Sequence, residues 1–479
     1  MQVVDTIVVG AGLAGMVFTW QYLHDPRNQD KKICVLEKSP FGIGGRIHSL
    51  ELPHSSRFIE LGPARFNNTH TQLRQLLCDL QIDTYDYKDS HICTFRGPFS
   101  DPLLNRDPDS RKKQITRSYP TLSAVDFKIL STYEYDPLRL LLDTLDKQSM
   151  ISTDTNLESF VSRFMSPTLT QVVKDATGFE SSWSIQMPEA ALVIQDMFSP
   201  QRKWYGTKEP LESIPNKMMS ILVHKFSTQL CLRIGSTVEK IERQETKFCI
   251  QLNSGDCSFE CNKCILALDL PQLKTLLSHC TSWVNPQLLS LLNNAFAPFL
   301  LLRMYMQFPI DPLSHKSWYN QEKFPVLYTA TKLRMVIPSS IPGIMQVSYT
   351  DMKYSSFWLN LLKEEGQQVR PDLWTVTSPE SKIIRLILSE LLWLFPGAHI
   401  PNPTILWGHP CHVMYPTGKE YASLPALLRP DPDIAIIGEA TAISSDLGIT
   451  SSWMESAIRS GVKGYHHIMA RSEIRAVQL

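Results

Sequence analysis

Neither sign of charge is in excess along this chain of 479 residues: Lys and Arg together number 47, as do Asp and Glu. With net charge near zero there is no electrostatic footprint for a polyanion, so nucleic acid is not an expected partner. Long hydrophobic runs are also missing. The most apolar stretch, Ala295 to Leu302, stops at Arg303, short of the ~18 residues that a membrane-spanning helix needs. No basic region followed by an apolar one opens the sequence, which sets the expectation of a cytoplasmic chain without a secretory signal. There is no internal repeat and no low-complexity tract. Cys261 and Cys264 form a CxxC, but no second pair stands at the spacing of a zinc ribbon. The segment Phe248 to Cys261 reads more simply as a β-hairpin turning at Asn253 to Asp256, and the ten cysteines as free thiols in a reducing interior. What remains is an ordinary globular composition, 43% hydrophobic and 20% charged, with chain enough for roughly two to four domains.

The N-terminus carries the sharpest local signal. Asp5 to Val9 is a short apolar run of buried-strand type. Gly10-Ala11-Gly12-Leu13-Ala14-Gly15 follows and leads into a helical stretch, Met16 to Leu23. A second apolar run, Lys32 to Leu36, ends on Glu37, about 20 residues past Gly15, where a dinucleotide fold places its ribose-binding acid. Each residue type has a physical task. Gly10 permits the tight turn, Gly12 lets backbone approach a pyrophosphate, and Gly15 allows close helix–strand packing. The helix start, with Leu13 and Ala14 in its first turn, turns unpaired N–H groups and a positive dipole end towards phosphate.

Further along, Ser39 to Arg46 is a glycine-rich loop ending on a cation, and Phe58 to Phe66 reads as a strand entering a tight turn. His91 to Pro120 looks like a surface excursion, and Leu122 to Phe198 repeats apolar residues at helical spacing. Strand patterns return at Cys231 to Ile234, Thr237 to Ile241 and Cys264 to Leu268. A second excursion, Pro286 to Leu406, holds possible strands at Leu300 to Phe308 and Met345 to Tyr349 and an amphipathic helix at Glu380 to Leu394. The chain closes with a strand from Ile434 ending on Gly438-Glu439 and a helix from about Trp453 to Met469. Nucleotide-binding signals at both ends and in the middle imply two interleaved domains. Residues 1–90, 200–285 and 407–479 are expected to form the nucleotide-binding domain. Residues 91–199, a helical insertion, and 286–406 are expected to form the second.

Four motifs in this order carry a likeness to a known family: the glycine turn with Glu37, Gly44-Gly45-Arg46, Glu60-Leu61-Gly62-Pro63-Ala64-Arg65, and Gly438-Glu439 with Trp453-Met454-Glu455-Ser456-Ala457. Together they resemble the flavin-dependent amine oxidases, which include monoamine, polyamine and L-amino acid oxidases. The resemblance implies an α/β fold in which a Rossmann-like (GR2-type) FAD-binding domain is interleaved with an α+β substrate-binding domain. It implies FAD-binding roles for Gly10, Gly12, Leu13, Ala14, Gly15, Glu37, Lys38, Gly45, Arg46, Gly62, Pro63, Ala64, Arg65, Val238, Gly438, Glu439, Trp453 and Met454. Within that set Arg46 would offset pyrophosphate charge, and Gly62 would bring backbone against the isoalloxazine ring. Val238 would hold the adenine through its backbone. Glu439 would reach the ribityl chain or the pyrophosphate.

Arg65, Trp453 and Tyr421 are the catalytic candidates that the resemblance supplies. In the L-amino acid oxidases an arginine at the Arg65 position holds the substrate carboxylate, and a guanidinium can do so through two parallel hydrogen bonds. Trp453 would be one aromatic wall beside the flavin, and Tyr421, with Tyr415 as competitor, the other. The implied reaction is hydride removal from the Cα of an L-amino acid, giving a 2-oxo acid, ammonia and hydrogen peroxide, with oxygen as second substrate. Oxidation of polyamines or monoamines, and a flavin-binding structural protein with little oxidase activity, remain alternatives. Two departures bear on the choice. Pro298 to Met304 lacks the lysine that the family often places near the flavin, and no cysteine stands near Lys419, so the FAD is expected to be noncovalent. No membrane span is expected, and a homodimer is possible.

Overall fold

The structure is a computed structural model, and it describes residues 2–52, 57–87, 91–95, 107–147, 155–187, 189–253, 258–280, 283–314, 316–319, 326–339, 341–416, 428–442 and 454–477. The chain divides into two compact units: Met1–Tyr87 with Arg202–Ala297 and Met414–Leu479, and Lys88–Gln201 with Pro298–Val413. The fold is of mixed α/β class with a Rossmann-like nucleotide-binding unit.

In the first unit the strand β1 (Gln2–Val9) lies at the centre of a seven-stranded sheet. Its order runs Val238–Gln244, Lys247–Leu252, Ser258–Leu266, β1, β2 (Ile33–Glu37) and Leu230–Ile234, with Ile434–Ile436 paired beside Ser258–Leu266. β1 is parallel to both neighbours, with Val8 opposite Ile265 on one side and Val35 on the other. Parallel strands are covered on both faces, which is why these segments read as apolar runs without alternation. The period of two still sorts them. Val8, Val35 and Ile265 enter one core, while Ile7, Val9, Cys34, Leu36 and Leu266 enter the other.

The helix α1 (Leu13–His24) is apolar on nearly every side because it is wedged between the sheet and the C-terminal helix Met454–Val477. Close approach of the two helices needs Gly461, where a Cβ would stand 2.6 Å from the Ala14 carbonyl oxygen. The hairpin expected around residues 248–261 is present as antiparallel Lys247–Leu252 and Ser258–Leu266. Its CxxC cysteines lie in the apolar core, where burial pushes the Cys261 thiol well above its ordinary value. Among the described residues no cluster of three or more His, Cys, Asp or Glu could hold a metal ion.

The second unit is built on an eight-stranded sheet, ordered Gln367–Arg370, Leu373–Val376, Ile405–Pro416, Phe296–Gln307, Ile344–Asp351, Met335–Pro338, Val326–Thr329 and His91–Phe95. Helices Met352–Glu365 and Lys382–Leu394 bury Trp358, Leu362, Ile384 and Ile387 against it. Among the described residues, five α-helices between Ala124 and Phe198 answer to the helical spacing of Leu122 to Phe198.

Two expectations need correction. His91–Phe95 is no surface excursion: it forms a sheet strand parallel to Val326–Thr329, and Pro108–Ser118 is a helix. A partner some 230 residues away in sequence leaves no local pattern at residue 91. The run Phe58 to Phe66 is, as expected, a strand entering a turn: β4 (Phe58–Glu60) pairs with β3 (Ser49–Glu51), and the chain then turns into β5 (Phe66–Asn67). Finally, the helix Pro286–Ala295 packs Leu288, Leu292 and Ala295 into the first unit's core, so that unit extends to Ala297. No helix among the described residues is long and apolar enough to cross a membrane.

Candidate cofactor-binding site

Because β1, β2, Ser258–Leu266 and Ile434–Ile436 are parallel, their C-terminal ends lie along one edge of the sheet. The open α/β fold presents ligands at that edge. Gly10 leaves β1 with φ +102°, and a Cβ there would stand 2.3 Å from the Ala267 carbonyl oxygen. A Cβ at Gly15 would stand 2.2 Å from the Gly10 oxygen and 3.2 Å from the Val8 side chain, so the helix can rest on the strand only without one. Gly12 is different. It precedes the helix in extended backbone, offers no side-chain cap, and its open side meets nothing nearer than the Gly45 Cα at 3.9 Å. The first N–H groups of α1, those of Leu13 and Ala14 among them, therefore face a space kept clear of side chains on this side. The Gly44-Gly45 loop lies alongside: the Gly44 N–H donates to the Ala11 carbonyl at 2.9 Å.

Glu37 ends β2 and ties this turn together. Its Oε2 accepts the Ala11 N–H at 2.8 Å and its Oε1 the Ser39 N–H at 2.7 Å. Carboxylate oxygens keep further lone pairs for a hydroxyl donor. Lys38 points away from the turn, its Nζ donating to Gln272 at 3.2 Å. Val238 begins the strand Val238–Gln244, at the other end of the sheet order from β2, paired opposite Leu252 with an irregularity before Lys240; just before it the chain passes the end of β2 through the Ser236 N–H to Glu37 carbonyl bond.

Arg46 and Glu439 come from opposite ends of the chain and form one ion pair, Nη2 to Oε2 at 2.7 Å. The Arg46 side chain is 41% exposed and Glu439 only 7%. Burial pushes the Glu439 carboxyl above its ordinary value, and Arg46 pulls it back. Its second oxygen, Oε1, is buried without a hydrogen-bond partner among the described residues. Natural proteins rarely leave such an acceptor orphaned, so it marks a place for a donor. Gly438, at φ +150°, donates its N–H to Ser460 Oγ at 3.0 Å and sets Glu439 beyond the strand end.

Gly62 has a structural reason within the chain: a Cβ there would stand 2.1 Å from the carbonyl oxygen of Arg46, so the chain's own backbone demands glycine. Pro63 and Ala64 follow, half-buried, and lead to Arg65. The Arg65 guanidinium carbon lies 4.1 Å from the centroid of the Trp204 ring and 5.8 Å from that of Tyr87. Trp204 and Tyr87 belong to a small antiparallel sheet of β5, Trp204–Thr207 and β6 (Thr84–Tyr87), and Arg65 directly precedes β5. Met454 is the first residue of the last helix, and its side chain is buried in the core beneath α1. Tyr421 and Trp453 lie outside the described residues, and of Tyr415 only the strand backbone is described.

One residue that the sequence reading passed over stands out. Glu455 is fully buried and accepts the N–H groups of Gln72 at 3.1 Å and Leu73 at 2.8 Å, the start of helix α2 (Thr71–Asp79), and Arg459 Nε at 2.8 Å. The residue preceding α2, His70, supplies no side-chain cap, so a carboxylate from the last helix does so instead. Glu455→Ala is expected to lower the unfolding free energy by about 2 to 3 kcal/mol in urea titration, and Glu455→Gln by about half as much, since one acceptor oxygen survives.

A glycine turn at the carboxyl edge of a parallel sheet, an acid ending the second strand and an orphaned acceptor beside an arginine define a nucleotide-cofactor protein. The family model of flavin containing amine oxidoreductases matches residues 21–464, and the chain belongs to that family. Its cofactor is accordingly FAD, and an amine its substrate class. Two solved structures share the fold. One is a putrescine oxidase variant redesigned in its cofactor binding (TM-score 0.65, 13% identity, covering 98% of this chain and 99% of that one). The other is the cyclohexylamine oxidase of Brevibacterium oxydans IH-35A (TM-score 0.65, 17% identity, covering 98% and 99%). No curated protein matches the chain by sequence. The open side of Gly12 and the orphaned Glu439 Oε1 are what a bound FAD requires of this edge, so the residues present fit the cofactor.

Proposed function

We propose that this chain is an FAD-dependent oxidase of L-amino acids, which converts them to 2-oxo acids with release of ammonia and hydrogen peroxide. The seat of Arg65 is the observation that carries the reading. The Arg65 guanidinium carbon lies 4.1 Å from the centroid of the Trp204 ring, a cation–π contact that seats the group, and a guanidinium so held can grip a carboxylate through two parallel bonds. The far ammonium group of a polyamine would meet like charge there.

FAD, when bound, accepts the hydride from the carbon bearing the amine and hands the electrons to oxygen. The chain's own groups bind and orient. In this reading the N–H groups of Leu13 and Ala14, the open side of Gly12 and the loop at Gly45 hold the pyrophosphate, with Arg46 offsetting its charge. Gly10 and Gly15 shape the turn. Glu37 accepts from the adenosine ribose, with Lys38 contributing backbone alone, and Val238 holds the adenine. Glu439 Oε1 accepts from the cofactor, and Gly438 sets its position. Gly62, Pro63 and Ala64 would hold the ring through backbone, Met454 would present the helix N-terminus to it, and Trp453 and Tyr421 would wall the amine and exclude water. The flavin is held noncovalently.

Arg65→Met tests the substrate assignment. Loss of a charge-assisted pair is expected to raise KM for an amino acid by roughly 30- to 100-fold, read from peroxide release and from anaerobic bleaching of the flavin. The amine made by removing the carboxylate from the same substrate should respond little. An equal response to both compounds, or none, overturns the amino acid reading. A second reading, oxidation of amines without a carboxylate, draws support from the substrates in the names of the structural relatives, putrescine and cyclohexylamine. Preferential bleaching by such amines would establish it.

A further inference from the structure

We propose that Trp204 is a positioning residue for substrate selection: its ring fixes the plane of the Arg65 guanidinium and so sets preference for substrates carrying a carboxylate. The inference rests on the reading of Arg65 as the carboxylate anchor and adds the element that orients it.

The local sheet pins the ring. Trp204 pairs with Asn67 of β5 on one side and Tyr87 of β6 on the other, so it occupies the central strand of three. Successive side chains of a strand point to opposite faces. Phe66 and Tyr205 face the core of the first unit and stack there at 5.8 Å between ring centroids. Trp204, the neighbour of Tyr205 on the same strand, is thereby sent to the other face, where the Arg65 guanidinium meets it. A slip of one residue would exchange the faces of Trp204 and Tyr205, so the register is strongly specified.

The aromatic surface beneath Arg65 is continued by the adjacent strand. Tyr87, cross-strand from Trp204, stacks on Tyr85 at 6.5 Å. Tyr85 lies over Gly206, where a Cβ would meet its ring at 2.6 Å. Trp204, Tyr87 and Tyr85 therefore form one platform, with the guanidinium 4.1 Å above its most buried member. An unsupported arginine loses several rotors when it binds. A stacked one has lost them already, and the saving appears as tighter binding of whatever its fork recognises. A ring whose task is support of the fold would instead affect every substrate alike.

The test compares Trp204→Met, which removes the ring while filling much of its space, with Trp204→Phe, in holoenzyme. The substrates are an amino acid and its decarboxylated amine. Trp204→Met is expected to raise KM for the amino acid by about 10-fold, with kcat within about twofold and the amine unaffected. Trp204→Phe should recover most of that loss, and in an Arg65→Met background the Trp204 change should add nothing further. If Arg65→Met raises KM but Trp204→Met does not, the positioning role is wrong and the carboxylate reading stands. If Arg65→Met itself has no effect, the carboxylate reading fails and takes this inference with it. Should Trp204→Met fail to hold flavin, Trp204→Phe decides: a rise of about threefold confined to the amino acid supports the role, and equal values for both substrates overturn it.

Discussion

Gly12→Ala is expected to fold like the parent and to be isolated almost free of flavin. Gly12 sits at φ −70° and ψ 173°, backbone that any residue adopts, and an added Cβ meets no protein atom within 3.9 Å. The melting temperature of the cofactor-free protein should therefore shift by less than about 2 °C. The methyl group would stand before the first N–H groups of α1, where a pyrophosphate must approach the backbone closely. Affinity for FAD should fall roughly 100-fold, read from the visible absorbance of the purified protein and from flavin titration. Gly10→Ala and Gly15→Ala make the contrast. Their added atoms would lie 2.3 Å and 2.2 Å from carbonyl oxygens, so fold and flavin should be lost together. Parental FAD affinity in a well-folded Gly12→Ala would remove this turn from the cofactor site.

The contrast among these glycines shows how far a sequence can be read. The GxGxxG turn was legible because its parts are neighbours: strand, turn, helix and acid fall within 37 residues, and each residue type answers to a local constraint. The strands of the parallel sheet were legible for a related reason, since burial on both faces writes a continuous apolar run. What failed depended on distant partners. His91–Phe95 became a strand through Val326–Thr329, and its own composition carries no trace of that pairing. The backbone atom that demands glycine at position 62 belongs to Arg46, which no spacing rule connects to residue 62. Glu455 reads as an unremarkable helical acid until the start of α2 is brought against it. The Arg65–Trp204 stack joins residues 139 positions apart and could be found only from coordinates.

Arg46→Ala is expected to cost both stability and cofactor, and a second substitution should separate the two losses. Removing the guanidinium leaves Glu439, 7% exposed, without the cation now 2.7 Å from its Oε2. Breaking a fully buried pair costs several kcal/mol. The Arg46 side chain is 41% exposed and screened by solvent, so about 1 to 2 kcal/mol is the appropriate scale here. The pH dependence has a defined sign. Burial already raises the Glu439 carboxyl above its ordinary value, and loss of Arg46 raises it further. A group that binds its proton more tightly when folded loses stability as pH rises from its unfolded value through its folded one. The deficit of Arg46→Ala should accordingly be small near pH 5 and full by about pH 8, measured by urea unfolding of the cofactor-free protein. Glu439→Gln in the same background removes the buried charge and should restore most of the stability at pH 8. It should not restore FAD binding, because the phosphate charge would still lack its counter-ion. Recovery of flavin affinity together with stability would mean that Arg46 serves Glu439 alone and has no part in holding the pyrophosphate.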